Sequence, residues 1–347
     1  MSVFRVKYLV LLLALIFLFL FVREIDPALC WQQLKQVGWG MIPILGATFL
    51  AYLSASIAWQ ICYRGDMGLQ LFKRTSLFFV IRQIGESLAT INPTGVVGGD
   101  ALKYVLMTSH GMDKEKSILS LSLLRVLTIF SFLFLVLISV LFLIFKTDIL
   151  YNPAYLITAC IMITLFAVFV TSMLFSRKLL LHKYALRIFK IFRMSSDHKI
   201  LGWIQAFNVT TSKVLFLKPK IIIIAFIILM IHWLFGAFEF LLILHYLGYN
   251  ISLFDAYILE IGTALTRSVM SFIPGQIGVE EYSNKIFLEL VGVKGEGIWV
   301  SVSIIKRLRQ LFWIGLGILL YFKNYRKNKF SGKSDQFVKN GSLIHQS

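Results

Sequence analysis

Arg125, Lys306, Arg307 and Arg309 stand inside apolar runs long enough to cross a bilayer. An unneutralised charge at that depth costs about 2.5–3.5 kcal/mol, so each of these cations needs an anion. The sequence offers two kinds. One is internal, because Glu86, Asp100, Glu260, Glu280 and Glu281 flank interruptions in two further apolar stretches. The other is a ligand, and a lipid phosphate is the anion that guanidinium and ammonium groups bind best at a membrane. Lys103 follows Asp100 by three residues, which places both on one face of a helix. Gly98, Gly99, Pro274, Gly275 and Gly278 lie among these charges. The glycines let backbone approach a ligand closely, and the N-terminus of a half-helix can receive an anionic headgroup.

For Asp100 and Glu281 two readings stay open. They line a phosphate site, or they cap the half-helices that follow them and pair with Arg125 and Lys306. Arg125 and Arg307 are expected to meet a ligand. His232 and Glu239, seven residues apart on one span, read as a buried hydrogen-bonded pair, with proton coupling as the rival. His110 and His245 read as interfacial. No catalytic residue is marked, because the chain has no GxxxxGK[ST], HExxH, GxSxG or DxD pattern. No metal and no cofactor is expected, and Cys30, Cys62 and Cys160 read as packed thiols without a CxxC pair.

The elements that must position these residues follow from composition. Of 347 residues, 58% are hydrophobic and 15% charged, and mean hydropathy is +0.79. That is too little polar surface to solvate a globule, which excludes an ordinary cytosolic enzyme. The net charge of +18 is spread between apolar runs and predicts no nucleic-acid partner. Six windows suit a spanning helix: Tyr8–Val22, Met41–Cys62, Leu119–Phe145, Ala154–Phe175, Ile221–Leu247 and Ile298–Phe322. The first lacks a small-residue cleavage site and reads as a retained helix.

Ser76–Ser109 and Phe254–Leu290 are apolar but punctuated. Asn92-Pro93-Thr94-Gly95 and Gly98-Gly99-Asp100 break the first; Pro274-Gly275 and Gly278 break the second. Broken backbone at membrane depth must be buried in protein or line a cavity, so both read as re-entrant hairpins. With cytoplasmic termini, the inside segments hold 22 Lys and Arg, against four (Arg23, Lys35, Lys146 and Lys294) outside, as the positive-inside rule requires. The fold class is therefore an all-α polytopic membrane protein with about six spanning helices and two hairpins. Residues 1–322 form the membrane domain, 176–219 an amphipathic cytoplasmic linker, and 323–347 a basic, polar tail.

An offset of 181 residues superposes Pro93 on Pro274 and pairs Ser87/Ser268, Gly111/Gly292, Glu115/Glu296, Ser120/Ser301, Ser122/Ser303 and Leu127/Leu308. Asp100/Glu281 and Arg125/Lys306 match conservatively in the same register. Hairpin, short loop and spanning helix thus occur twice, entering from opposite faces, within halves of about 41–175 and 220–322. Broken segments at matching places in inverted halves mark the substrate site of a transporter.

Asn92–Asp100 and Pro274–Glu281 resemble the two hallmark segments of the lysylphosphatidylglycerol synthase transmembrane region, or flippase-like, family. The resemblance implies a multi-pass inner-membrane protein that moves an anionic or polyprenyl-phosphate-type lipid between leaflets. It implies motif positions at Gly98, Gly99, Asp100, Pro274, Gly275, Gly278 and Glu281. Gln276 departs from the small residue usual after Pro-Gly. The multidomain synthases of the family carry a soluble aminoacyl-transfer domain, whereas only a short polar tail follows Phe322 here. The competing expectations are a membrane-embedded glycosyl- or aminoacyl-transferase with Asp100 or Glu281 as general base, and a non-catalytic partner of a lipid synthase or glycosyltransferase.

Overall fold

The computed structural model describes residues 31–32, 35–65, 71–91, 95–146, 219–270, 276, 278–295 and 297–330. Every regular element among them is helical. A 3-10 turn at Gly38–Gly40 leads into α1 (Met41–Arg64), followed by α2 (Leu71–Ile91), α3 (Gly95–Ser109), α4 (Lys114–Lys146), α5 (Pro219–Tyr246), α6 (Leu253–Val269), α7 (Val279–Leu290) and α8 (Ile298–Phe330). The windows Tyr8–Val22 and Ala154–Phe175, nearly all of the 176–219 linker, and Cys30, Pro93, Cys160, Pro274 and Gly275 lie outside the described residues.

Among the described residues, three helices are long and apolar enough to cross a bilayer: α1, α4 and α5, with mean hydropathies of 1.7, 2.5 and 2.7 over 18-residue windows. On α5, Ile223, Ile227, Ile231, Leu234 and Phe238 are exposed. Their spacing of four, four, three and four draws one apolar stripe down the helix, a surface that suits lipid and not water. The chain is an all-α membrane protein. The 33 residues of α8 also exceed the roughly 20 needed to span, although Lys306, Arg307 and Arg309 interrupt its apolar run. This helix continues eight residues past the expected end at Phe322, because the basic residues Lys323, Arg326, Lys327 and Lys329 are good helix formers.

The hairpin helices are short. With 15 and 12 residues, α3 and α7 reach about 22 and 18 Å, less than the hydrocarbon core of about 30 Å. Helix α2 ends at Ile91 and α3 starts at Gly95, and the break expected at 92–94 in the first hairpin lies outside the described residues. The second interruption expected in that hairpin, at Gly98-Gly99-Asp100, does not occur, and α3 runs through it. Gly99 serves packing instead: a Cβ there would lie 2.6 Å from the Gly85 carbonyl oxygen and 2.7 Å from Ala89 Cβ on α2. Beyond both hairpins the same local turn recurs at the 181-residue offset. Gly111 and Gly292 take the left-handed conformation with φ of 75° and 81°, while His110 N–H donates to Leu106 and Val291 N–H to Phe287.

The described residues form two compact units. One contains α3, α6, α7 and α8, most of α2 from Ser76, α1 to Tyr52 and α5 from Gly236. Its core includes Ile44, Phe240, Leu244, Leu259, Leu288, Val302 and Ile305. The other contains α4 with the remaining ends of α1, α2 and α5. There Ala55, Ala58 and Ala225 let helices approach closely around Ile61, Leu123, Leu127 and Leu229, and Trp59 and Trp233 donate to Ser120 and Ser131.

Candidate functional site

The second hairpin builds the densest set of charges. Ser252 and Asp255 start α6 with a reciprocal capping box. Two turns on, Glu260 faces Arg267 at 3.4 Å. Helix α7 starts after Gly278, whose φ of 80° is left-handed and natural for glycine. This places Glu280 and Glu281 in the first turn, where the helix dipole favours carboxylates.

Neither expected cap forms. The N-cap of α7 is Gly278, with no side-chain cap, and Asp100 is the sixth residue of α3. Glu281 reaches α8 instead, accepting from Arg307 Nε at 2.9 Å and from Nη2 at 3.1 Å. The same Nη2 also donates to the Gln276 carbonyl at 3.1 Å. Gln276 sits at a left-handed φ of 53° and is anchored by its Nε2 donating to the Arg267 carbonyl at 3.0 Å.

Lys306 does not take the Glu281 partner expected for it. Its ammonium lies 3.7 Å from Glu280, 3.9 Å from Glu260 and 3.6 Å from the centroid of the Phe240 ring, a cation–π contact. Gly236 makes room, since a Cβ there would meet Glu260 Cδ at 2.9 Å. Arg309 pairs with Glu239 at 3.1 Å, and Thr48 donates to the same oxygen at 3.3 Å. Arg309 thus replaces His232 as the expected partner of Glu239.

The first hairpin holds a smaller cluster. Lys103 donates to Glu86 at 2.6 Å and to Asp100 at 3.0 Å, the latter across the three-residue spacing read from sequence. Gly85 accommodates the lysine, because a Cβ there would touch Lys103 Cγ. Helix α2 is tied to α8 by Gln83 Nε2, which donates to the Trp313 carbonyl at 2.8 Å, and by Ser87 packed on Gly317.

Of the sequence-derived positions, Gly98, Gly99, Asp100 and Lys103 come together in the first hairpin, and Gly278, Glu281, Lys306, Arg307 and Arg309 at the second. Arg125 lies on α4 in the other unit. The charges at the second hairpin are met internally, whereas the sequence predicts a ligand at Arg307. With Glu239, Glu260 and Glu280 included, four carboxylates face the four cations Arg267, Lys306, Arg307 and Arg309. Gln276 was missed as a ligand of Arg307 because its contribution is a backbone carbonyl, which residue type does not reveal. The pairing of Glu239 was misassigned because its partner is 70 residues away.

The two hairpins share one motif. Lys103 is 4% exposed behind Glu86 and Asp100, at 39% and 28%. Arg307 is 3% exposed behind Glu281, at 29%. In each, a buried cation is screened by a carboxylate that still reaches the surface, and Asp100 and Glu281 are equivalent under the 181-residue offset. Helices too short to span, charged at their ends and joined through ion pairs within an otherwise apolar helical unit, define a membrane protein with a polar interior.

The chain belongs to the lysylphosphatidylglycerol synthase TM region family, whose model matches residues 7–317. Membership links it to lipid modification or lipid flipping. No curated protein and no solved structure matches it.

Proposed function

We propose that this protein is a lipid translocase of the cytoplasmic membrane. It carries an anionic or polyprenyl-phosphate-type lipid between leaflets, with both termini in the cytoplasm and the two hairpins as inverted halves of one path. The observation that carries this reading is the repeated motif of a buried cation behind a partly exposed carboxylate. A lipid phosphate can replace the carboxylate of Asp100 at Lys103, or of Glu281 at Arg307, while the cation stays neutralised throughout. Such an exchange avoids baring a charge at membrane depth, the dominant penalty for moving a headgroup across. In this reading Lys103 and Arg307 receive the phosphate, while Lys306 and Arg309 hold the frame. Gly98, Gly99, Pro274, Gly275 and Gly278 shape the hairpins around it.

The rival reading is a transferase with Asp100 or Glu281 as general base; Glu281 already accepts from Arg307 at both oxygens, so it would have to take a substrate proton on a remaining lone pair. The test is reconstitution into liposomes carrying fluorescent phosphatidylglycerol in both leaflets, with a membrane-impermeant quencher added outside. Active protein lets the quencher consume the inner-leaflet pool while the lipid stays chemically unchanged. Protection of half the label, equal to that in protein-free liposomes, overturns the reading.

A further inference from the structure

Among the described residues, eight buried polar atoms of the first unit lack a hydrogen-bond partner; three are on α7, and the other five are the donors Arg82 Nη1, Arg309 Nε and Trp313 Nε1 and the acceptors Gln83 Oε1 and Glu239 Oε1. These five belong to one continuous cluster. The Arg82 guanidinium lies 5.0 Å from the centroid of the Tyr52 ring, and Tyr52 meets Trp313 edge-on at 5.1 Å. Gln83 bonds the Trp313 carbonyl. Arg309, four residues before Trp313 on α8, holds Glu239. Each unmet group has lost its water without return, and an apolar residue of similar shape would avoid the loss. Five at one place are accounted for when a ligand meets them.

The mixture of groups specifies that ligand. A phosphate or carboxylate only accepts, so it would serve the three donors and leave Gln83 and Glu239 unmet. An ammonium only donates. Hydroxyls do both, and several are needed. The rings of Phe49, Tyr52, Phe79 and Trp313 pack beside these atoms with centroids 5.1–6.5 Å apart, offering flat apolar faces to the C–H face of a ring.

We infer that Tyr52, Arg82, Gln83, Glu239, Arg309 and Trp313 form a headgroup-reading subsite for a lipid whose phosphodiester bears a cyclic polyol or sugar. The unmet atoms are shielded from solvent, so the subsite fills when α2 and α8 part. The inference rests on the chain being a lipid carrier, and its test therefore measures binding, not transport.

Full-length protein in an amine-oxide detergent, which bears no hydroxyl group, is titrated with dioctanoyl phosphatidylinositol and with dioctanoyl phosphatidylmethanol. The two lipids have the same charge, and only the first has headgroup hydroxyls. The inositol lipid should bind at least about tenfold tighter, since a site built to bond hydroxyls rejects an analogue without them. Trp313→Phe keeps an aromatic ring and removes the N–H, and should reduce the preference below about threefold with phosphatidylmethanol affinity unchanged. Glu239→Gln should act in the same direction. Equal affinities, or no binding of either lipid, would overturn the subsite and mean that water alone meets these atoms. A full preference surviving in folded Trp313→Phe protein would also overturn it. Selective binding without leaflet exchange would instead sink the translocase reading and support the subsite.

Discussion

Arg307 concentrates the chemistry of the second hairpin in one side chain, because its planar fork engages Glu281 through two nitrogens and the Gln276 carbonyl through one of them. Removing it strands Glu281 and takes one of two neighbouring cations from Glu280. Arg307→Ala should therefore destabilise the protein by about 3–5 kcal/mol, the usual effect of breaking a buried pair from one side. Arg307→Lys should recover only part, since an ammonium cannot reproduce the bidentate geometry. Melting of the purified variants checks both, and an unchanged melting temperature for Arg307→Ala would contradict the network. Glu281→Gln tests the exchange of carboxylate for phosphate. It keeps the side-chain shape but frees the guanidinium of its charged partner, so short-chain phosphatidic acid should bind several-fold tighter than to the unaltered protein. A weaker or equal affinity would mean that phosphate does not compete for Arg307.

At the scale of elements, two glycines do different work and should respond differently to alanine. Gly99→Ala drives a methyl against the backbone of α2 at Gly85 and against Ala89, and overpacking of this kind costs about 1–3 kcal/mol. Gly278→Ala has open space around its Cβ but a φ of 80°, so its penalty is the left-handed backbone itself, about 1–2 kcal/mol. Gly46 on α1 has neither a near neighbour nor a positive φ. Its replacement by alanine should be neutral or stabilising by up to about 1 kcal/mol through helix propensity. Denaturation of the three variants side by side should give that ordering. A neutral Gly99→Ala would mean that α2 and α3 are farther apart than described.

For the whole molecule, the proposed orientation puts the turn around Gly111 and the C-terminal region in the cytoplasm and the segment Gly248–Ser252 on the other side, as expected from the basic bias of the sequence. Glu115 and Asn250 are exposed and suit single-cysteine labelling with an impermeant maleimide. Asn250→Cys should react from outside intact cells, and Glu115→Cys only after the membrane is opened. Labelling of the Asn250→Cys variant solely from the cytoplasmic side would reverse the topology on which the inverted halves depend.

The sequence by itself determined the helical membrane class, because runs of some twenty apolar residues have few other stable fates. It also marked four windows that became α1, α4, α5 and α8, and it put Asp100 and Lys103 on one helix face, all set by local spacing. The family was legible too, since its two motifs are contiguous in the chain. Tertiary structure alone decided which acid meets which cation. Glu281 took Arg307, Lys306 settled between Glu260, Glu280 and the Phe240 ring, and Glu239 chose Arg309. Partner choice depends on which faces of α5, α6, α7 and α8 pack together, and side-chain period places a residue on a face without naming the helix opposite. The continuity of α3 through Gly98-Gly99 was decided in the same way, since glycines that read as a break became the contact where two helices touch.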